Sequence, residues 1–121
     1  MPATSKITLA PTYELHREAV DAADTTITDS RRGVNCGGYS RLHVQIVPDG
    51  TANPTVEVLF WSDGAGAFIP AHTPLVFAGV GADKAYEFSI DVEGRRIFVA
   101  VTTIAAGSVD IYVAGWHAHG N

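Results

Sequence analysis

Residues 83–116 constrain the fold more than any other stretch, because their polarity alternates in three runs separated by sharp turn signals. Tyr86, Phe88 and Ile90 point one way and Glu87, Ser89 and Asp91 the other, the period-2 pattern of a half-buried strand. Glu93-Gly94 then reverses the chain, glycine taking positive φ without a Cβ penalty, and Ile97, Val99 and Val101 begin a second run. A second turn at Ala105-Ala106-Gly107-Ser108 leads into Val109, Ile111 and Val113, with Asp110 and Tyr112 on the other face. The spacing predicts an antiparallel meander in which each strand is joined to the next as a hairpin.

Two more strands precede it. Leu42, Val44 and Ile46 alternate with Arg41, His43 and Gln45 until Pro48-Asp49-Gly50 ends the run, which puts His43 on the polar face. Val56, Val58 and Phe60 alternate with Glu57, Leu59 and Trp61, so Trp61 needs cover on the second face. Residues 67–69 and 75–78 read as two short strands separated by Pro70 and Pro74, which confine them to a sheet edge. Residues 25–28 are a further short β-prone run, and 29–38 a loop rich in turn formers that contains Cys36. Strands recurring roughly every ten residues signal an all-β, antiparallel β-sandwich of about seven or eight strands, jelly-roll-like, with a closed barrel as the alternative. Shared parity places Leu42, Val44, Ile46, Val56, Val58, Phe60, Phe88, Ile90, Ile97, Val99, Val101, Val109, Ile111 and Val113 in the core.

The first 24 residues follow no such period. Ile7 and Leu9 alternate with polar neighbours, Pro11 interrupts, and Tyr13, Leu15 and Val20 are scattered among charges. Two readings remain open: an extended N-terminal arm over 1–24 that docks on another chain, or an edge strand over 4–9 followed by a helical connection over 14–22, where alanines favour helix. Either way residues 25–121 form the sandwich, and 1–24 are an arm or edge segment. Ile7, Leu9, Tyr13, Leu15 and Val20, too apolar for a free tail, are the candidate partner contacts, together with Trp116 where the chain leaves the sheet.

Composition excludes more than it assigns. At 121 residues, with 46% hydrophobic and 17% charged residues, the chain suits one domain with a packed core. A net charge of -5 argues against a grip on nucleic acid, which needs a basic patch to release counterions. Arg31-Arg32 and Arg95-Arg96 adjoin turns, where solvated charge is the ordinary explanation. No apolar run approaches the length that spans a membrane and the N-terminus lacks the pattern of a secretory signal, so synthesis and folding in the cytoplasm are expected.

No residue constellation asks for catalysis. Cys36 is the one cysteine, without a CxxC partner or an adjacent base, and in a loop it should be dispensable. His117 and His119 have the spacing that puts two imidazoles on one strand face, but no carboxylate or cysteine lies close in sequence to complete a metal site. His16 and His72 are isolated. Asp63, Asp83, Asp91, Glu93 and Asp110 fall at turns or on polar faces, where solubility accounts for them. The expectation is a protein that is not an enzyme and uses no cofactor. Trp61, Trp116, Tyr39 and Tyr112 could form the aromatic platform of a carbohydrate-binding module, which stands as an alternative.

The run Gly38-Tyr39-Ser40-Arg41-Leu42-His43-Val44-Gln45-Ile46, then Val56-Glu57-Val58-Leu59-Phe60-Trp61 and the glycine-punctuated segment to Trp116, resembles the small β-sandwich virion proteins of tailed bacteriophages. The similarity spans residues 38–116 and lies in strand style and order, so no functional residue carries over. It implies a capsid decoration or cement protein, made in the host cytoplasm, that sits on the surface of the assembled head and stabilises it. Its expected partners are the major capsid protein or another virion protein and its own copies, as a homotrimer. Other head, neck, fibre-base and tail proteins of phages use similar sandwiches and remain alternatives.

Overall fold

The structure is a computed structural model that describes residues 12–116. Eight strands follow one another: β1 Glu14–Val20, β2 Val34–Asn35, β3 Arg41–Asp49, β4 Thr55–Ser62, β5 Ala67–Phe77, β6 Tyr86–Asp91, β7 Arg96–Thr103 and β8 Ser108–Trp116. They make two four-stranded antiparallel sheets, one ordered β1-β8-β3-β6 and the other β2-β7-β4-β5, so the protein is a β-sandwich. The pairs β1 with β8, β2 with β7, β3 with β6 and β4 with β5 are nested in sequence. Nesting of this kind is an antiparallel ribbon rolled up on itself, the jelly-roll topology.

That topology overturns the meander. The strands expected in residues 83–116 exist, but β6 pairs with β3, β7 with β4 and β2, and β8 with β3 and β1, so none of the three pairs with the next. Glu93 (φ 50°) and Gly94 (φ 71°) do turn the chain sharply, yet the turn carries it from one sheet to the other. A turn signal dictates reversal and is silent on which sheet receives the next strand. At the following crossing the sandwich needs a glycine: Gly107 has φ 114°, and a Cβ there would stand 2.2 Å from the Asp49 carbonyl oxygen.

The expected core is where parity put it. Thirteen of its fourteen residues are buried, and the fourteenth, Phe88, is half-buried against the same cluster. Each such side chain contributes about 1.5–3 kcal/mol when fully removed from water. A second apolar layer covers the outer face of the β2-β7-β4-β5 sheet. There Phe98 and Ala100 of β7 pack with Phe68, Leu59 and Trp61, and Ile27 from the β1–β2 connection closes over them. Residues 25–28 are therefore not a strand; Ile27 serves as a lid, its carbonyl accepting from the Phe68 N–H at 3.0 Å. This supplies the cover that Trp61 required.

Three further expectations change. Residues 14–20 are strand rather than helix, because pairing with β8 and the contacts of His16 and Arg17 outweigh alanine's helical preference. The strand is twice irregular in register, and Ala19 takes φ 52° while its N–H donates to the Asp110 carboxylate at 2.8 Å. The sandwich thus already includes the edge strand at 14–20. Residues 67–77 form one strand through both prolines, which a sheet edge tolerates because the missing N–H groups need no ladder partner there. Cys36 lies fully buried in the main core at the end of β2, not in a solvated loop, so it is a packing residue.

One backbone edge is finished by side chains. β2 pairs only with Ile97 and Arg96, so β7 beyond them has no strand neighbour on that side. The Val99 N–H donates to His16 Nε2 at 3.3 Å, the Val99 carbonyl accepts from Arg17 Nη1 at 3.2 Å, and the Val101 N–H donates to Asp24 Oδ2 at 2.7 Å. The Val101 carbonyl accepts from the Asp24 N–H at 2.8 Å. All four backbone groups are satisfied, and Arg17 and Asp24 are locked in a largely buried ion pair with a second bond of 2.7 Å.

Candidate partner-binding face and cleft

The outer face of the β1-β8-β3-β6 sheet carries Tyr13, Tyr112 and Trp116. Strand register arranges them in rows. Leu15, Tyr112, Gln45 and Glu87 lie side by side across the four strands; the next row holds Ala114, His43 and Ser89, and the last Trp116, Arg41 and Asp91. Leu15 and Trp116 are 48% and 41% exposed, unusual for side chains of their size on a sheet with water on one side.

Most polar groups between them are already paired. Glu87 accepts from Gln45 Nε2 at 3.0 Å and from the Tyr13 hydroxyl at 3.2 Å, and His43 Nδ1 stands 3.4 Å away. These hydrogen bonds, led by that of Gln45, hold the Glu87 carboxyl below its usual range. Burial, reinforced by the Glu87 charge, raises the Tyr13 phenol. Arg41 ion-pairs with Asp91 and donates to Ser89 Oγ at 2.9 Å. The His43 ring meets Trp116 edge-on at 4.1 Å between centroids, and its Nε2 has no hydrogen-bond partner among the described residues.

Of the sequence-stated contact residues, the fold brings three together here: Tyr13, Leu15 and Trp116. Val20 turns inward opposite Val109 and packs against the core. Ile7 and Leu9 lie outside the described residues, as do His117 and His119. Tyr112, His43 and Glu87 complete the face; Tyr112 was named only as part of a possible aromatic platform, since only strand register shows that the three are neighbours.

A second feature lies around the corner, where β1 and β2 part. A cleft of about 670 Å³ opens between them, with Val34, Leu42 and Val113 among its apolar lining and Thr12, Arg31 and Asn35 among its polar lining. β1 and β2 are the outermost strands of their sheets on this side, so the cleft runs between two open edges.

The Cys36 thiol, pushed up to about 11 by burial, is no nucleophile at neutral pH. His16 is held neutral, lowered to about 4 chiefly by burial and then by Arg17 and Arg32, and its Nε2 is engaged by the backbone. Among the described residues no group of three histidine, cysteine or acidic side chains could hold a metal ion, and no helix is long and apolar enough to cross a membrane. Asp63 accepts from Trp61 Nε1 at 2.9 Å, Asp110 from the Ala19 N–H and Asp91 from Arg41, so these carboxylates are structural. Compared with protein-family models, curated proteins and solved structures, the chain matches no family model, no curated protein and no solved structure.

Proposed function

We propose that this chain is a non-enzymatic structural protein of a tailed-bacteriophage virion, a decoration or cement protein that binds the assembled head as a homotrimer and reinforces it. The observation that carries this reading is the outer β1-β8-β3-β6 face, where exposed Leu15 and Trp116 flank Tyr112 and a pre-paired polar network. Apolar residues ringed by largely paired polar groups are the anatomy of a protein interface, with a tryptophan as the anchor. The jelly roll supports it as well, being an architecture used by viral capsid proteins. On a lattice, many weak copies of one contact add to a stable coat, so no single site needs high affinity. Placement at the head rather than in a neck, fibre base or tail follows the resemblance of residues 38–116.

The test is co-sedimentation of the purified protein with capsids that lack it, alongside its mass by light scattering. The wild type should pellet with heads and elute as a trimer, and Leu15→Asp with Trp116→Ala should stay in the supernatant while melting as before. A double variant that still pellets, or a wild type that never does, refutes the assignment.

A carbohydrate-binding module is the second reading, favoured by the placement of Trp116 and Tyr13 beside Glu87, Gln45 and Asp91 on one flat face. Affinity electrophoresis against polysaccharides separates the two: retention lost in Trp116→Ala, with no capsid binding in the wild type, selects this one.

A further inference from the structure

β1 differs from the other long strands in what holds it. β3, β4, β5, β6, β7 and β8 all contribute buried side chains, whereas no residue over 14–26 is buried and the apolar core begins at Ile27. Val20 is the one side chain of that segment packed against the main cluster, and it is only partly buried. The strand pairs with β8 alone, twice out of register, and Ala19 sits in the left-handed region at φ 52°. Its remaining attachment is the polar grip of His16, Arg17 and Asp24 on the Val99 and Val101 backbone.

These attachments can be given up together. Arg17 and Asp24 are ion-paired with each other, so the pair travels with the segment intact and only the bonds to β7 and β8 are lost. Ile27 stays behind under its bond to the Phe68 N–H and anchors the downstream end. Every buried member of both apolar clusters lies at residue 27 or beyond, so the core is complete without the segment. A stretch that buries little apolar surface opens at a lower free energy than the fold as a whole.

His16 makes that opening depend on acidity. Its Nε2 accepts from the Val99 N–H, a bond available only to the neutral ring. Arg17 on the same strand and Arg32 in the turn before β2 face it with positive charge, Asp24 faces it with negative charge, and β7 offers the uncharged Phe98 ring at 5.4 Å. Glu14 and Arg31 line the same cleft. Burial first, then the two arginines, lower the ring to about 4 in the folded chain, against 6.5 once the strand is detached. The detached strand therefore binds a proton that the attached one refuses, and acid favours detachment from about pH 6.5 downward.

β1 also carries Leu15, which stands beside Tyr112 on the candidate partner-binding face. We propose that residues 14–24 form a detachable strap, released by acid from a sandwich that stays folded, and that its release takes Leu15 off the partner-binding face. The second half of the proposal rests on the proposed function. A partner that grips Leu15 holds the strap down, and by linkage release of the strap weakens the partner's grip by the same factor.

Native-state amide exchange of the full chain in low urea, corrected for the intrinsic rate at each pH, tests the strap. At pH 7 the β1 amides should exchange about tenfold or more faster than those of Val44 and Val58, with a shallower dependence on urea because little surface is exposed. From pH 7 to pH 5 the β1 opening should rise roughly twentyfold, and in His16→Gln, which keeps an acceptor and cannot titrate, less than about threefold. β1 amides that share the rate and urea dependence of Val44 and Val58 would overturn the strap. A β1 opening in the wild type that is flat between pH 7 and pH 5, or an equal rise in His16→Gln, would overturn the acid release. On capsids that lack the protein, bound β1 should exchange about tenfold slower than free β1 at pH 7. Unchanged exchange in protein that does pellet would overturn the link to the partner-binding face. Protein that does not pellet refutes the virion reading, and the free-chain rates still decide the strap.

Discussion

The two open seams of the sandwich are closed by opposite chemistry. Where β5 meets β6, Phe77 stacks on Phe88 with centroids 3.7 Å apart and planes 5° from parallel. The Tyr86 hydroxyl ties the same corner down by donating to the Pro54 carbonyl at 3.0 Å, and burial pushes its phenol up to about 12. Where β1 meets β7 there is no such stack. His16, Arg17 and Asp24 hold the bare backbone of Val99 and Val101, with Arg17 also 4.6 Å above the Phe98 ring. An apolar seam depends on area and is nearly indifferent to pH and salt. A seam of charged hydrogen bonds depends on protonation, and losing one member strands the others. The second seam adjoins the cleft, since His16 belongs to both. The difference teaches that one side of the molecule is sealed for stability and the other is built from groups whose contacts can change.

The largest effect should come from Asp24→Ala. It leaves the Val101 N–H without its acceptor and the largely buried Arg17 guanidinium without its counter-charge, a loss of about 3–5 kcal/mol. Urea unfolding should show a lower midpoint at an unchanged slope. A loss under about 1 kcal/mol would mean the clamp is incidental to the fold.

Acid should act on the same seam. In the unfolded chain His16 takes up its proton near its ordinary 6.5, and in the folded chain only at about 4, because burial opposes the charge. Between those values the unfolded state binds more protons. Stability is therefore complete above 6.5 and falls as pH drops toward 4, by at most about 3 kcal/mol. His16→Gln, which keeps a hydrogen-bond acceptor and cannot titrate, should flatten that part of the stability curve.

On the apolar seam Phe88→Ala removes a half-buried ring from its stack and should cost about 2–3 kcal/mol. The loss should be the same at pH 7 and pH 5, which separates the two seams in one pair of melting curves. The smallest change is Cys36→Ser. In a solvated loop it would cost about 1 kcal/mol or less, but a fully buried position makes the hydroxyl cost about 1–2 kcal/mol. A neutral substitution would show that the Val34 carbonyl, 3.7 Å from Sγ, absorbs the new donor.

How legible each seam was follows from the range of its interactions. Alternation is local, so β3, β4, β6, β7 and β8 and nearly all the core could be read from residue parity, including Phe88. Strand partners are not local: Glu93-Gly94 announces a reversal, and nothing nearby says that β6 goes to β3 while β7 goes to β4. The polar clamp joins His16 to Val99 and Asp24 to Val101, pairs 83 and 77 residues apart, and no pattern within either segment signals them. Cys36 was misplaced because its neighbours Asn35, Gly37 and Gly38 are turn formers, whereas one buried position at a strand end leaves no periodic trace. Trp116 and Leu15 could be marked as surface anchors from their apolar character, but that they share a face with His43 and Glu87 required the register of four strands.

The most direct measurement is amide hydrogen exchange of the full chain at Val99 and Val101, compared with Phe77 and Phe88, as pH falls from 7 to 4. Protection at Val99 should drop as His16 takes up its proton, with Val101 following once Asp24 is disturbed, while the amides of the stacked aromatic seam keep theirs. Equal loss at both seams, or undiminished protection of Val99 at pH 4, would contradict a β7 edge held by side chains in place of a strand.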